Sequence, residues 1–410
     1  MAVPIDPDSL SRDPVDGDPI ERDLRLILGV QALRAAAYGF GTVILGTSLG
    51  ASGLSDGQVE LIFTAMLAGM AIAAVVVGVI GDRVGRRRLY RLLLLLMGGA
   101  GIVFALASTM LALILASLTG TMSTDANESG PITSIEQAMI GQAPAGTRVR
   151  VFGRYNAVAF LAGAFGALAA GGPAFLRGVY SGLPGDQRWL LIFPVVAAGA
   201  AVLASGLGPG VETGSGMHAP LRRSRSNVTK LASLFAIDAF AGGFVVTTFI
   251  VFWFERKFGA SVELMSVVVF AGGVLQAVSS IAAARIGARF GLLNTMVFSH
   301  FPSNVLLILV PLMPTLGWAI AVLLARFILS QMDVPTRQAY IAAMVDPEER
   351  TAAAAFTNTA RYGARPFGPA VGAALSVNIG LGAPFVAAGI LKSVYDLLVW
   401  RVFRRVPIDR

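Results

Sequence analysis

The chain has 410 residues, 55% of them hydrophobic and only 14% charged, with a mean hydropathy of +0.72. A soluble domain carries nearer a quarter charged residues, so this composition excludes an ordinary soluble protein and specifies a polytopic membrane protein. The net charge of +8 falls in short segments between apolar runs and reports topology and anionic headgroups rather than nucleic acid; the absence of cysteine excludes disulfides and thiol chemistry, and two histidines (His218 and His300) argue against a histidine metal site.

Residues 1–23 are rich in Pro and Asp, lack apolar periodicity and read as a loose tail with no secretory h-region. The first span is expected from about Leu24 to Leu49 and contains Arg34. At 1.5 Å per residue it is long enough to cross about 30 Å of hydrocarbon. The second span, about Gln58 to Ile80, has Glu60 near its outer end, where hydration makes a charge cheap. It runs into Gly78–Arg91, G-V-I-G-D-R-V-G-R-R-R-L-Y-R, which compresses an acid, a glycine turn and five arginines between two apolar runs. Arginine is costly in hydrocarbon, so this loop belongs on the cytoplasmic side. Gly85 is free to take the positive φ that a tight return requires.

The third span, near Leu89 to Ser108, is rich in Leu and Gly. The fourth, Leu111 to Ile140, is polar in its second half but must return to the cytoplasm before Arg148, Arg150 and Arg154. It therefore reads as one long helix with a polar face, kinked near Gly130-Pro131. Asp125 and Glu128 share a face of it, and Glu136 lies about two turns further on. The fifth span, near Val151 to Phe175, is dense in Gly and Ala and ends in Gly171-Gly172-Pro173. The sixth runs from about Trp189 to Leu207, and a basic, Pro- and Ser-containing linker follows.

The second half repeats the first. Val30 to Leu45 aligns with Leu234 to Phe249 at an offset of about 204, which pairs Gly39 with Gly243, Phe40 with Phe244 and Arg34 with Asp238. The remaining spans are expected at about Val228–Phe254, Val262–Ala284, Leu292–Leu312, Leu316–Met344, Thr351–Val377 and Pro384–Phe403. Arg285, Arg289, Arg350, Arg404 and Arg405 then share the cytoplasmic side with both termini. Glu255, Arg256 and Lys257 form a charged outer loop.

The spacing G-x-x-x-D-R-x-G-R-R, filled by Gly78, Asp82, Arg83, Gly85, Arg86 and Arg87, resembles the signature loop between helices 2 and 3 of the major facilitator superfamily. The resemblance implies an all-α polytopic membrane fold of 12 transmembrane helices in two pseudo-symmetric six-helix bundles. On this chain the parts would be a cytoplasmic tail (1–23), an N-terminal bundle (24–207), a cytoplasmic linker (208–229), a C-terminal bundle (230–403) and a C-terminal tail (404–410). It also implies that Asp82 docks on the positive N-terminal end of span 11 as a cytoplasmic gate, supported by Arg83 and Arg87. The drug/proton antiporter branch is resembled loosely, through the Gly-Pro-rich end of span 5; span 4 holds acids where that branch carries an arginine.

In the superfamily, helices 1, 4, 7 and 10 line the central cavity. Nearly all deeply placed charges of this chain fall on those spans: Arg34, then Asp125, Glu128 and Glu136, then Asp238, then Arg326, Asp333 and Arg337. A charge near the bilayer centre costs about 2.5–3.5 kcal/mol, so it marks a pathway or has a partner. Arg34 and Asp238 either pair across the two halves or couple transport. Asp125 and Glu128 either hold a shared proton or pair with Arg326, while Glu136, Asp333 and Arg337 read as gate pairs or substrate contacts. Arg361, Arg365, Lys392 and Asp396 read as interhelical pairs or snorkelling groups, and His300 as a satisfied interior histidine.

These features imply a secondary active transporter working by alternating access, with proton-coupled efflux of small organic molecules as the first reading. A proton-coupled importer of a charged metabolite and a non-transporting receptor on the same scaffold are the alternatives. Neither a phosphate-binding G-x-x-x-x-G-K-[ST] loop nor a nucleophile–base pair is present, so the chain is not expected to be an ATP-driven pump or an enzyme, and no cofactor is expected. The expected partners are a small-molecule substrate, protons and the bilayer of the plasma membrane, for a monomer that does not bind nucleic acid.

Overall fold

The computed structural model describes residues 19–123, 130–140, 148–212, 221–346 and 349–406. All regular structure among them is helical. Helix α1 (Pro19–Ala51) is continuous over 33 residues, about 50 Å. Helices α2 (Asp56–Val84) and α3 (Arg86–Leu106) are separated by Gly85 alone, whose φ of +91° is the conformation expected of that glycine.

The fourth span is not a single kinked helix. It comprises α4 (Met110–Leu118), a non-helical stretch at Thr119–Ser123 and α5 (Gly130–Ile140), so the break opens about ten residues before Gly130. Gly120 there has φ +68° and lies flush against Gly69 of α2. Backbone groups freed inside a membrane need partners. The Tyr38 hydroxyl donates to the Thr121 carbonyl at 2.6 Å, and the Thr119 hydroxyl meets that of Thr121 at 2.8 Å.

The fifth span is likewise split into α6 (Arg148–Ala169) and α7 (Gly172–Val179), and α8 (Ile192–Ser205) closes the N-terminal bundle. In the C-terminal bundle α9 (Arg225–Phe244) and α10 (Thr247–Phe258) form one broken span, followed by the continuous α11 (Val262–Phe290) and α12 (Leu292–Leu309). The tenth span divides into α13 (Leu316–Leu329) and α14 (Asp333–Met344), the eleventh into α15 (Arg350–Ala364) and α16 (Phe367–Asn378), and α17 (Ala383–Phe403) ends the fold. Pro131, Pro173, Pro335 and Pro366 sit at the entry to the second piece of a broken span, where a missing N–H costs least. Glu255, Arg256 and Lys257 belong to the last turns of α10 rather than to a loop.

Among the described residues ten segments are long and apolar enough to cross a membrane. The other two spans of the 12 are α4–α5, between which residues 124–129 lie outside the described set, and the more polar α15–α16. Large apolar side chains such as Leu61, Val75, Phe165, Val202, Ile281 and Phe298 are exposed along these helices, as a lipid-facing surface requires.

Within the N-terminal bundle α1 packs on α6 and α3 on α8; within the C-terminal bundle α9 packs on α15 and α17, and α12 on α17. The two glycines paired by the sequence repeat make equivalent close crossings. Gly39 lies against the Gly163 backbone of α6, and Gly243 against Gly368 of α16. A side chain at either would collide with main chain, so small residues here set how closely the helices approach.

The bundles meet in an asymmetric way. We call the face holding residues 206–212 and 221–224 the linker side and its opposite the far side. The far-side pieces pack across the bundles, α16 on α2 and α10 on α1, and α6 crosses to α11. The linker-side pieces α5, α14 and α15 pack within their own bundles. The molecule is therefore closed on the far side.

Candidate functional site

The buried charges gather into one cluster per bundle. In the N-terminal cluster Glu136 of α5 is fully buried, and the Arg34 guanidinium reaches its Oε2 at 2.6 Å from α1. Tyr90 of α3 donates its hydroxyl to Oε1 at 2.6 Å, and Tyr155 of α6 donates to Oε2 at 2.5 Å. Arg34 also bonds the Gln31 side-chain carbonyl one turn away and stacks 5.5 Å from the Tyr38 ring centroid. A buried carboxylate is tolerable only when paired and hydrogen-bonded, and here each oxygen has at least one donor. Four helices are tied to one side chain.

The C-terminal cluster is larger. Asp238, on α9 about two turns before the break at Val245, forms a 2.6 Å ion pair with Lys392 of α17. His300 of α12 places Nδ1 2.9 Å from Asp396 Oδ1 and Nε2 3.9 Å from Asp238 Oδ1. Asn304 donates to Asp396 at 2.9 Å. Arg337 pairs with Asp333 one turn earlier on α14 at 2.9 Å and lies 3.9 Å from Asp238. Arg361 of α15 lies within electrostatic reach of Asp238, Asp333 and Arg337. One imidazole thus links two carboxylates on different helices, with three fixed cations around them.

These positions revise several expectations. Arg34 and Asp238 do not pair with each other: each is satisfied within its own bundle, by Glu136 and Lys392. Glu136 does not meet Asp333 or Arg337 in this structure, because its carboxylate is enclosed by α1, α3 and α6. The deep polar groups are not confined to spans 1, 4, 7 and 10, since Tyr90, Tyr155, His300, Asn304, Lys392 and Asp396 come from spans 3, 5, 9 and 12. Glu60 is not hydrated but 1% exposed. Arg326 ends α13 with its guanidinium over Phe327. Asp125 and Glu128 lie outside the described residues.

The signature loop is only partly described. Gly78, Asp82 and Arg83 fall in the last turns of α2, and their side chains are outside the described set. What faces the start of α3 is Glu212, which the sequence reading did not single out. Its carboxylate accepts from the Arg86 and Arg87 amides at 2.7 and 3.1 Å, so it caps from across the chain the amides a helix N-terminus leaves open. A second acid, Glu349, does the same before α9, accepting from the amides of Arg222, Arg223 and Ser224 at 2.7, 3.0 and 3.0 Å. The Arg222, Ser224 and Arg223 amides hold its carboxyl down to about 2. Asp23 accepts from the Gly208 amide at 2.9 Å, so three carboxylates fasten the inter-bundle linker to helix ends.

A signal for how the C-terminal groups associate, Asn304 included, was present in their spacing. His300 and Asn304, Asp333 and Arg337, and Lys392 and Asp396 are each four residues apart, a spacing that places both members on one helix face.

The family model of the Major Facilitator Superfamily matches residues 27–329 and 231–410. An uncharacterized membrane protein of Saccharomyces cerevisiae is 25% identical, the alignment covering 93% of this chain and 94% of that one. Among solved structures, a bacterial homolog of the human lysosomal transporter Spinster, in an inward-facing and occupied conformation, is similar with a TM-score of 0.70 at 17% identity, over 95% of this chain and 99% of that one. The inward-open xylose transporter XylE of E. coli is similar with a TM-score of 0.69 at 13% identity, over 94% and 97% of the two chains. The nucleoside transporter NupG is similar with a TM-score of 0.67 at 12% identity, over 94% and 99%. With the family model spanning most of its length and the fold shared end to end, the chain belongs to the major facilitator superfamily.

Proposed function

We propose that this protein is a secondary active transporter of the plasma membrane that exchanges small organic molecules for protons by alternating access, with efflux as the working direction. One observation carries the coupling: His300 bridges Asp238 and Asp396 beside Lys392 at mid-depth. Ionisable groups inside a membrane that share protons and sit next to a broken helix have the chemistry of a coupled substrate and proton site. Substrate entering next to α9 would compete with Lys392 for Asp238, and a proton would redistribute along His300 and Asp396.

The linker side is taken as cytoplasmic, because Arg86, Arg87, Arg88, Arg222, Arg223, Arg285, Arg289, Arg404 and Arg405 lie there. Both termini and the linker 208–229 between bundles 24–207 and 230–403 share that side. The closed far side then corresponds to an inward-facing state. Asp82, Arg83 and Arg87 act as the cytoplasmic gate in the opposite state, and Asp125, Glu128 and Arg326 belong to the pathway. Efflux is supported by the Gly-Pro-rich break between α6 and α7. Import is the second reading, favoured by the buried cations Lys392 and Arg337, which suit an anionic substrate, and by the fold likeness to a D-xylose-proton symporter.

The test is flux in liposomes containing a pH dye, with a metabolite and drug panel added with and without an imposed pH gradient. Asp238→Asn, His300→Gln, Asp125→Asn and Glu128→Gln are measured beside the wild type. Substrate-dependent proton movement in the wild type, lost in Asp238→Asn and His300→Gln, supports the reading, and its sign fixes direction. Substrate binding without proton movement overturns proton coupling.

A further inference from the structure

The far-side contact between the bundles contains an acid that neither polar cluster uses. Glu60 lies one turn into α2 and is 1% exposed, covered by α16 of the other bundle. Its Oε1 accepts from the Ser376 hydroxyl of α16. Its Oε2 is buried without a hydrogen-bond partner, and a Cβ added at Gly372 of α16 would sit 3.1 Å from it. Gly372 therefore lets the α16 backbone close directly over the carboxyl group.

The ionisable groups around Glu60 leave it without a counter-charge. On its own helix Asp56 is a further acid, engaged at 3.4 Å by Arg256 of α10. From α10, Glu255 lies against Gly50 of α1 and Lys257 bonds the Pro311 carbonyl at 2.7 Å. Neither α4 nor α16 carries an ionisable side chain. Helix α5 contributes only Glu136, bound in the N-terminal cluster, and the ionisable groups of α3 are Tyr90 and the arginines of its linker-side end. Among the described residues Glu60 forms no ion pair. An ionised carboxylate with one hydroxyl partner and no cation is costly to bury, and neutralisation is the ordinary escape.

We propose that Glu60 is the proton-binding site of the far-side gate: α2 and α16 close over Glu60 in its protonated form, with Ser376 as its partner. Opening the far side would return the carboxyl to water, where it ionises, and the desolvation cost of burying the carboxylate again would oppose re-closure. Acidity on the far side thus favours closure and the linker-open state. The proposal rests on the alternating-access reading above and adds to it a site distinct from His300 and Asp238.

The experiment is a distance measurement across the far side. The chain has no cysteine, so spin labels at Ser52→Cys and Asn378→Cys, both exposed, report without background. Pulsed electron resonance is recorded in nanodiscs from pH 4.5 to 9 for the wild type, Glu60→Gln and Glu60→Ala, each checked for monodispersity. In the wild type the closed-to-open ratio should fall by up to about tenfold per pH unit across the titration. Both variants should lose that dependence, Glu60→Gln remaining closed throughout. A wild type whose far-side distance does not respond to pH, or variants that respond like it, overturn the proposal. The readout needs no substrate, so failure to find proton-coupled flux would sink the transport reading while leaving this result standing.

Discussion

Arg34 and Glu136 meet at 2.6 Å in the interior of the N-terminal bundle, with side-chain exposures of 1% and 0%. The pair joins two helices 102 positions apart in sequence, and Tyr90 and Tyr155 saturate the carboxylate. Removing one partner would leave the other charge buried and uncompensated. Glu136→Gln or Arg34→Met alone should therefore destabilise by about 3–5 kcal/mol. The double replacement should cost clearly less than the sum, because it leaves no orphaned charge. Thermal unfolding in detergent of the two singles and the double checks this; strict additivity would show that the pair is not coupled.

Tyr90→Phe and Tyr155→Phe each remove one donor from Glu136 and keep the ring. Each should cost about 1–3 kcal/mol, since a charged acceptor loses a buried partner. The same unfolding assay reads it, and a change below a few tenths would place the hydroxyls outside the network.

The Asp238–Lys392 pair differs in having His300 and Arg337 within 3.9 Å. Lys392→Met should abolish proton-driven flux, and Asp238→Asn should do the same. His300→Gln should retain substrate binding while losing its pH dependence. Binding by calorimetry at pH 6 and pH 8, beside flux, separates these outcomes; a pH-dependent affinity that survives in His300→Gln places proton exchange elsewhere.

Glu349 lies outside the spans, and its carboxyl is held at about 2 against an ordinary value of 4.5 by the amides it caps. A depressed carboxyl stabilises the folded contact above its unfolded value and loses that contribution as pH falls through the folded one. The tie between the loop before α15 and the start of α9 should therefore hold at neutral pH and be lost between about 4.5 and 2. Glu349→Ala should reproduce the loss at pH 7, read as roughly tenfold faster hydrogen exchange at Arg222–Ser224.

Gly39 and Gly243 lie flush against the backbone of α6 and α16. Gly39→Val and Gly243→Val should each destabilise by about 1–3 kcal/mol, or prevent folding, because main chain cannot yield as a side chain can. A Val at Gly172, which has open space around its Cβ position, serves as the control. Equal losses at all three positions would mean that packing is not the cause.

Much of this architecture is a property of the chain read along one dimension. Span positions follow from runs of apolar residues, whose transfer into hydrocarbon is additive and local. The Gly85 turn and the pairing of Gly39 with Gly243 were equally legible, because a tight return and a close crossing each need one residue type at one position. The breaks were legible only where a proline marked them. The interruption at Thr119–Ser123 depends on Tyr38, 83 residues away from Thr121, to satisfy a carbonyl the helix no longer uses.

Partner choice was decided in three dimensions. The repeat that aligns Arg34 with Asp238 relates equivalent places in two bundles, and equivalent places point into their own bundles rather than at each other. Arg34 found Glu136, and Asp238 found Lys392, because rotation about the helix axis and the neighbours brought by packing set side-chain contacts. Glu60 shows the same division. Its depth, one turn into α2, was readable from the sequence and suggested water; burial came from α16, more than 300 positions later, laid across it by the closed far side. Depth along a helix is a local quantity, whereas solvent access belongs to the whole packed surface.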